Sequence, residues 1–126
     1  MPIKSKISSK KLPTKPVLKS KNTTRVPRKT LKFASLAEVR REIDDLDAVI
    51  APLMSRRNYA VMQAAHFKDS VKGVVKLGRA EEIIRRVRRI AKQCGTDPDS
   101  MEKVYRKIIE VHTKDEQKNW RMINKR

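Results

Sequence analysis

Apolar residues recur at Leu36, Val39, Ile43, Leu46, Ile50 and Leu53, then at Ala60, Ala64 and Phe67. The steps are three and four, with one gap at position 57, which is a heptad-like helical seam. Ser35 followed by Glu38 forms a capping box at its start. Pro52 lies inside the pattern and predicts a kink or a local weakening. The seam continues past it in phase, so one long helix is expected from Ser35 to Asp69. Gly73 and Gly78 bracket a loop. A second seam at Ile83, Val87, Ile90 and Cys94 predicts a helix over Arg79 to Cys94, with Gly95 as its C-terminal cap. Asp97 reads as an N-cap with Pro98 in the first helical position. The third helix runs from there to about Arg121, with Met101, Val104, Ile108 and Val111 turned inward. The expected fold class is all-α, a three-helix subunit with one long N-terminal helix.

At 1.5 Å per residue the helices are roughly 50, 24 and 36 Å long. A lone domain of this size has a radius of gyration near about 12 Å. A rod of roughly 50 Å cannot be buried inside such a globule, so its seam stays partly bare unless a second chain covers it. An intertwined helical homodimer is therefore expected.

The chain has 126 residues, with 32 Lys or Arg against 14 Asp or Glu, a net charge of +18. That charge is uneven. Residues 1–34 hold 11 Lys or Arg, no acid and four of the six prolines. Such a segment cannot offset its ordering entropy, so a disordered basic tail is expected. It lacks the apolar run of a secretory signal. The remaining 92 residues carry only +7, and they divide into a helical domain over 35–121 and a short tail over 122–126. Three glycines and five aromatic residues argue against a sandwich, a barrel or a glycine-looped nucleotide fold. A single cysteine, Cys94, excludes an intrachain disulfide framework. Cys94, His66 and His112 do not make a metal set, and no stretch is long and apolar enough for a membrane span. Without a signal peptide or disulfides, the cytoplasm is the default compartment.

The gap in the first seam is Arg57, a cation at a core position. Lys68 lies 11 residues on, about 20° away on the helical wheel. Unpaired charges on an apolar face are expensive to bury. Either acids such as Asp44, Asp47 or Glu116 meet them as structural ion pairs, or an anionic ligand does. Arg40 lies 17 residues before Arg57, roughly 26 Å along the axis. It can join the same small ligand only across a dimer with antiparallel long helices. Arg79 opens the second helix beside the glycine-flanked loop, and His112 and Glu116 lie four apart on or near the inward face of the third. No serine or cysteine is marked as a nucleophile, and no phosphate loop is present. Catalysis, if any, works by positioning and fixed charge.

The run Leu36-Ala37-Glu38-Val39-Arg40, with Ile43-Asp44, Leu46-Asp47, Arg56-Arg57 and Phe67-Lys68, resembles the all-helical chorismate mutase family. The likeness continues through Arg79, Gly95-Thr96-Asp97-Pro98, Ile108-Ile109 and Glu116-Gln117, over about residues 35–121, and is greatest to the isochorismate-pyruvate lyase branch. It implies an intertwined dimer with two cofactor-free sites, each binding a dicarboxylate. By position, Arg40 of the partner would hold one carboxylate and Arg57 the other. Lys68 would donate to the ether oxygen of the breaking C–O bond, and Arg79 would help bind substrate, with His112 beside it.

Arginines on two carboxylates can fold the enolpyruvyl group over the ring, and donors at the ether oxygen stabilise its developing charge. The sequence departs from the family pattern twice. A glutamine donor common in the family falls on Glu116, which some members carry and use in protonated form; Gln117 serves instead if the register differs by one residue. A glutamate that follows the second-helix arginine in many mutases is Ala80 here, which keeps isochorismate in play beside chorismate. The expected activity is conversion of chorismate to prephenate. The alternatives are isochorismate-pyruvate lyase and, from another class, a basic nucleic-acid-binding protein resting on Arg85-Arg86-Val87-Arg88-Arg89 and the basic tail. That run also reads as a solvated helix face, and the few aromatic residues are not interleaved with it.

Overall fold

The computed structural model describes residues 32–74 and 77–125. They form three α-helices: α1, Leu36–Gln63; α2, Leu77–Cys94; and α3, Pro98–Ile123. No strand occurs among the described residues. The expected tail over residues 1–34 lies outside them, except for its last three positions. The all-α architecture with a long first helix matches the periodicity.

Local signals account for the helix ends. The Ser35 side chain accepts from Glu38 N–H at 3.2 Å, while the Glu38 carboxylate accepts from Ala34 N–H at 3.1 Å. The box thus closes one residue before the cap itself. Asp97 caps α3 by accepting from Asp99 N–H at 2.9 Å. Gly95 ends α2 with φ of 83°, a left-handed conformation that a Cβ penalises. α1 runs through Pro52 as one helix, as the in-phase seam on both sides of it predicts.

The far end of the first helix differs from expectation. The α-helix stops at Gln63, and Ala64–Phe67 continue as a 3₁₀ turn. Lys68 then leaves the helix in an extended conformation, with φ of −110° and ψ of 144°. Tightening to three residues per turn breaks the phase of the seam. Phe67, expected inward, is 85% exposed, and Ala65 is buried instead. A second 3₁₀ turn, Lys72–Val74, occupies the glycine-flanked loop, and α2 begins before Gly78 rather than after it.

α3 is the central element. Across α1, contacts join Asn58 to Asp115 and Met62 to Asn119, so the two helices run parallel. Across α2, Arg106 meets Glu81 and Arg88 meets Asp99 and Glu102, so those two run antiparallel. The inward faces are rotated from the expected ones. On α2 the buried residues are Ile84, Val87 and Ala91, while Ile90 is exposed. On α3 the buried pair is His112 and Glu116, while Val104 and Val111 are exposed. The buried face of α3 is thus polar, while Ile108 and Ile109 are half-buried.

α1 buries no residue. Leu36, Ile43, Leu46, Ile50 and Leu53 are all exposed. Among the described residues, the hydrogen bonds from α1 to α3 come from its last turns, at Arg57, Asn58 and Met62, and the apolar seam before them is left exposed. No helix among the described residues is long and apolar enough to cross a membrane.

Candidate active site

A cavity of about 870 Å³ opens between the C-terminal part of α1, the start of α2 and the middle of α3. Ala60, Ala64, Ile83 and Ile109 supply apolar wall. Arg57, Lys68, Arg79, Glu116 and Gln117 supply charge and hydrogen-bonding groups. The structure thus gathers residues from three separate elements around one space.

Arg57 projects from α1 toward α3. Its Nη1 lies 2.6 Å from His112 Nδ1. Arginine has donors only, so Nδ1 accepts and the imidazole proton sits on Nε2. The guanidinium also lies 5.9 Å from the Tyr105 ring centroid, a cation–π distance. Burial lowers the Arg57 pKa from its usual value; Tyr105 opposes this and Arg79 adds to it. Arginine is basic enough to stay charged regardless. Burial, and then the Arg57 charge, hold the His112 pKa below the ordinary imidazole value, with Asp115 working against them. His112 is 5% exposed and neutral near pH 7.

Lys68 reaches the cavity by a route the helical wheel does not describe. Its backbone is extended, and its carbonyl accepts from the Trp120 indole N–H at 3.0 Å. Its Nζ donates to Glu116 Oε2 at 3.1 Å. Glu116 is itself only 4% exposed. One of the two core cations therefore has an acidic partner, as a structural ion pair predicts. The other, Arg57, meets a neutral ring. Gln117 lines the cavity beside Glu116.

Arg79 stands at the cavity edge and pairs with Glu82 at 2.8 Å, both side chains being more than half exposed. Ala80 also lines the cavity, so no acidic group follows Arg79 there. Arg40 is exposed and takes no part in the lining. Its 17-residue separation from Arg57 puts it roughly 26 Å away along α1. Within one subunit, then, Arg57, Lys68, Arg79, His112 and Glu116 come together and Arg40 does not. Among the described residues no group of three His, Cys, Asp or Glu could hold a metal ion.

The arrangement suits a small organic anion. Five cations, Arg57, Lys68, Arg79, Arg106 and Lys114, line a cavity with apolar walls, against two carboxylates, Glu110 and the buried Glu116. Residues 39–117 match the family model of chorismate mutase type II. The chain belongs to that family. The match supports chorismate mutase activity, an isomerase reaction on a small-molecule substrate, and its span contains every charged residue named around the cavity. No curated protein matches the chain at a significant level.

Several groups that support the cavity's lining residues escaped the sequence reading. Tyr105 stacks under Arg57. Asn58 Nδ2 donates to Asp115 Oδ2 at 2.9 Å, and Asn119 Nδ2 donates to the Met62 carbonyl at 2.9 Å. Asn58 Oδ1 is buried without a hydrogen-bond partner. Trp120 holds Lys68. A signal existed: Tyr105, His112, Glu116, Asn119 and Trp120 fall at steps of seven, four, three and one, which extends the His112–Glu116 stripe along one face of α3.

Proposed function

We propose that this chain converts chorismate to prephenate. The observation that carries the reading is the convergence of Arg57, Lys68 and Arg79 on one apolar-walled cavity inside the family-matched segment. A pericyclic rearrangement requires neither nucleophile nor cofactor. It requires the enolpyruvyl group folded over the ring and charge stabilised at the ether oxygen. Arg57 holds one carboxylate as a planar fork, and fixing both ends of the substrate converts a rare conformer into the bound one. Lys68 donates to the ether oxygen as C–O cleavage leaves charge there. Arg79 binds substrate from the rim, and His112 lines the same cavity beside Arg57.

The second carboxylate is assigned to Arg40 of a partner subunit. The exposed seam from Leu36 to Leu53 supports a homodimer with antiparallel long helices, because such a row of apolar side chains is normally covered. The functional unit is the helical domain over 35–121, with 122–126 as a short tail.

Glu116 is the second donor to the ether oxygen, acting in its protonated form. In the free site its carboxylate accepts from Lys68, so donation requires that it first take up a proton. Glu116→Gln supplies a donor that needs no added proton, so its turnover is expected to match or exceed the wild type. A marked loss of turnover in Gln117→Ala, with none in Glu116→Ala, would give the role to Gln117.

Isochorismate-pyruvate lyase is the second reading. Ala80 favours it, since the cavity offers no acidic side chain at that position for a ring hydroxyl. Incubation with chorismate and with isochorismate, monitored for prephenate, salicylate and pyruvate, separates the two. Turnover of neither refutes both.

A further inference from the structure

We propose that His112 is a positioning residue for substrate binding: its unprotonated Nδ1 holds the Arg57 guanidinium toward the cavity, and protonating it releases that hold. The proposal rests on the cavity being a dicarboxylate site. Its distinct content is that His112 acts through Arg57 and makes affinity, rather than the chemical step, sensitive to acid.

The contact is the shortest side-chain hydrogen bond at the site, 2.6 Å from Nη1 to Nδ1. An arginine side chain carries much rotamer freedom, so a partner that holds it before substrate arrives lowers the cost of binding. The nature of that partner matters. A carboxylate would orient the guanidinium but also neutralise it, and would compete with the substrate for its donors. A neutral imidazole takes one of five N–H groups and leaves the charge and the remaining donors for the ligand. The face of Tyr105 adds to the orientation without neutralising the charge.

His112 interacts with Arg57 and Asp115, and the cavity it lines holds charged groups from every packed element, Arg106, Glu110 and Lys114 of α3 among them. Arg57 comes from α1; Asp115 and Glu116 lie on α3 itself; Arg79 stands at the start of α2, and Lys68 follows α1. Asp115 would favour an imidazolium, but its Oδ2 already accepts from Asn58. Burial and Arg57 outweigh it, so the ring is neutral near pH 7. In acid, the imidazolium has no lone pair for Nη1 and places a second cation against the first. The guanidinium is then driven from its position.

Nitrogen-15 NMR of the full chain reads the contact directly. At about pH 7.5 the expected state of His112 is bare Nδ1 with the proton on Nε2, and its titration midpoint lies below the ordinary value of about 6.5. Arg57→Ala raises that midpoint. Steady-state kinetics with chorismate read the consequence. Wild-type KM rises about tenfold for each pH unit below the midpoint, with kcat following a separate profile. His112→Asn offers an Oδ1 acceptor that does not titrate, so its KM stays level over the same range. His112→Phe has no acceptor, and its KM is raised about 10- to 100-fold at every pH. Circular dichroism checks that this last variant folds; if it does not, the Asn variant and the NMR decide. A protonated Nδ1 at neutral pH, or an acid rise in KM that persists in His112→Asn, overturns the proposal. Turnover of neither chorismate nor isochorismate by the wild type refutes the functional reading instead, while the NMR still decides whether Arg57 and His112 are coupled.

Discussion

Arg57 stands at a position where a helix packed for stability alone would carry leucine, and Lys68 brings a second cation to the same cavity from the extended chain beyond the helix. The two are resolved differently. Lys68 has a carboxylate at 3.1 Å; Arg57 has a ring nitrogen and an aromatic face. Removing a donor aimed at developing charge typically costs a factor of about 10²–10³ in rate. Lys68→Ala is therefore expected to lower kcat by about that much, with helicity retained by circular dichroism. Near-wild-type turnover would mean that its ammonium never meets the reacting oxygen. His112 makes a further prediction, about stability. The folded state holds its proton more weakly than the unfolded chain does, so its contribution is complete above about pH 6.5 and is lost as pH falls through the lower native value. Thermal midpoints should decline on that side of neutrality, and the decline should be shallower in His112→Asn.

At the scale of elements, the caps and breaks are as local chemistry demands. Pro52 is the exception, because it lies within an α-helix that continues on both sides. An interior proline removes one backbone hydrogen bond and crowds the preceding turn, at a cost of about 3 kcal/mol in an isolated helix. Pro52→Ala should raise the thermal midpoint, with about 1–3 kcal/mol of added stability by denaturant titration. No gain would mean that packing already absorbs the cost. The link from α1 to α2 is also shaped by its ends. Trp120 and Asn119 of α3 bond the Lys68 and Met62 carbonyls, so the segment where helix gives way to extended chain is tied to α3 at two points. That tie explains how a residue outside the helix still delivers its side chain to Glu116.

For the whole molecule, α1 is the anomaly, since no residue of its 28 is buried. Ile50 is 49% exposed. In an isolated subunit, Ile50→Glu would be close to harmless. In a dimer it puts an unpaired charge into an apolar seam, which is costly. Light scattering should report a dimer for the wild type and single chains for Ile50→Glu. Turnover should fall with dissociation, because Arg40 then no longer reaches a partner's cavity. A variant that stays dimeric would move the interface elsewhere on the molecule.

Three helices, both N-caps and the glycine that ends α2 were legible in the chain because each depends on residues a few positions apart. The oddity of Arg57 was legible for the same reason: a charge in an apolar seam shows in the spacing. The direction in which each face turns was not. On α2, Ile84 and Ala91 are buried and Ile90 is exposed, while Ile83 lines the cavity, since periodicity marks an apolar face but not the neighbour that receives it. Lys68 was expected to share a helical face with Arg57; it instead reaches the same cavity from extended backbone after a 3₁₀ turn. The pairing of Arg57 with His112, 55 positions apart, belongs to the tertiary structure alone. Only the packing of α3 alongside α1 brings the two side chains within reach.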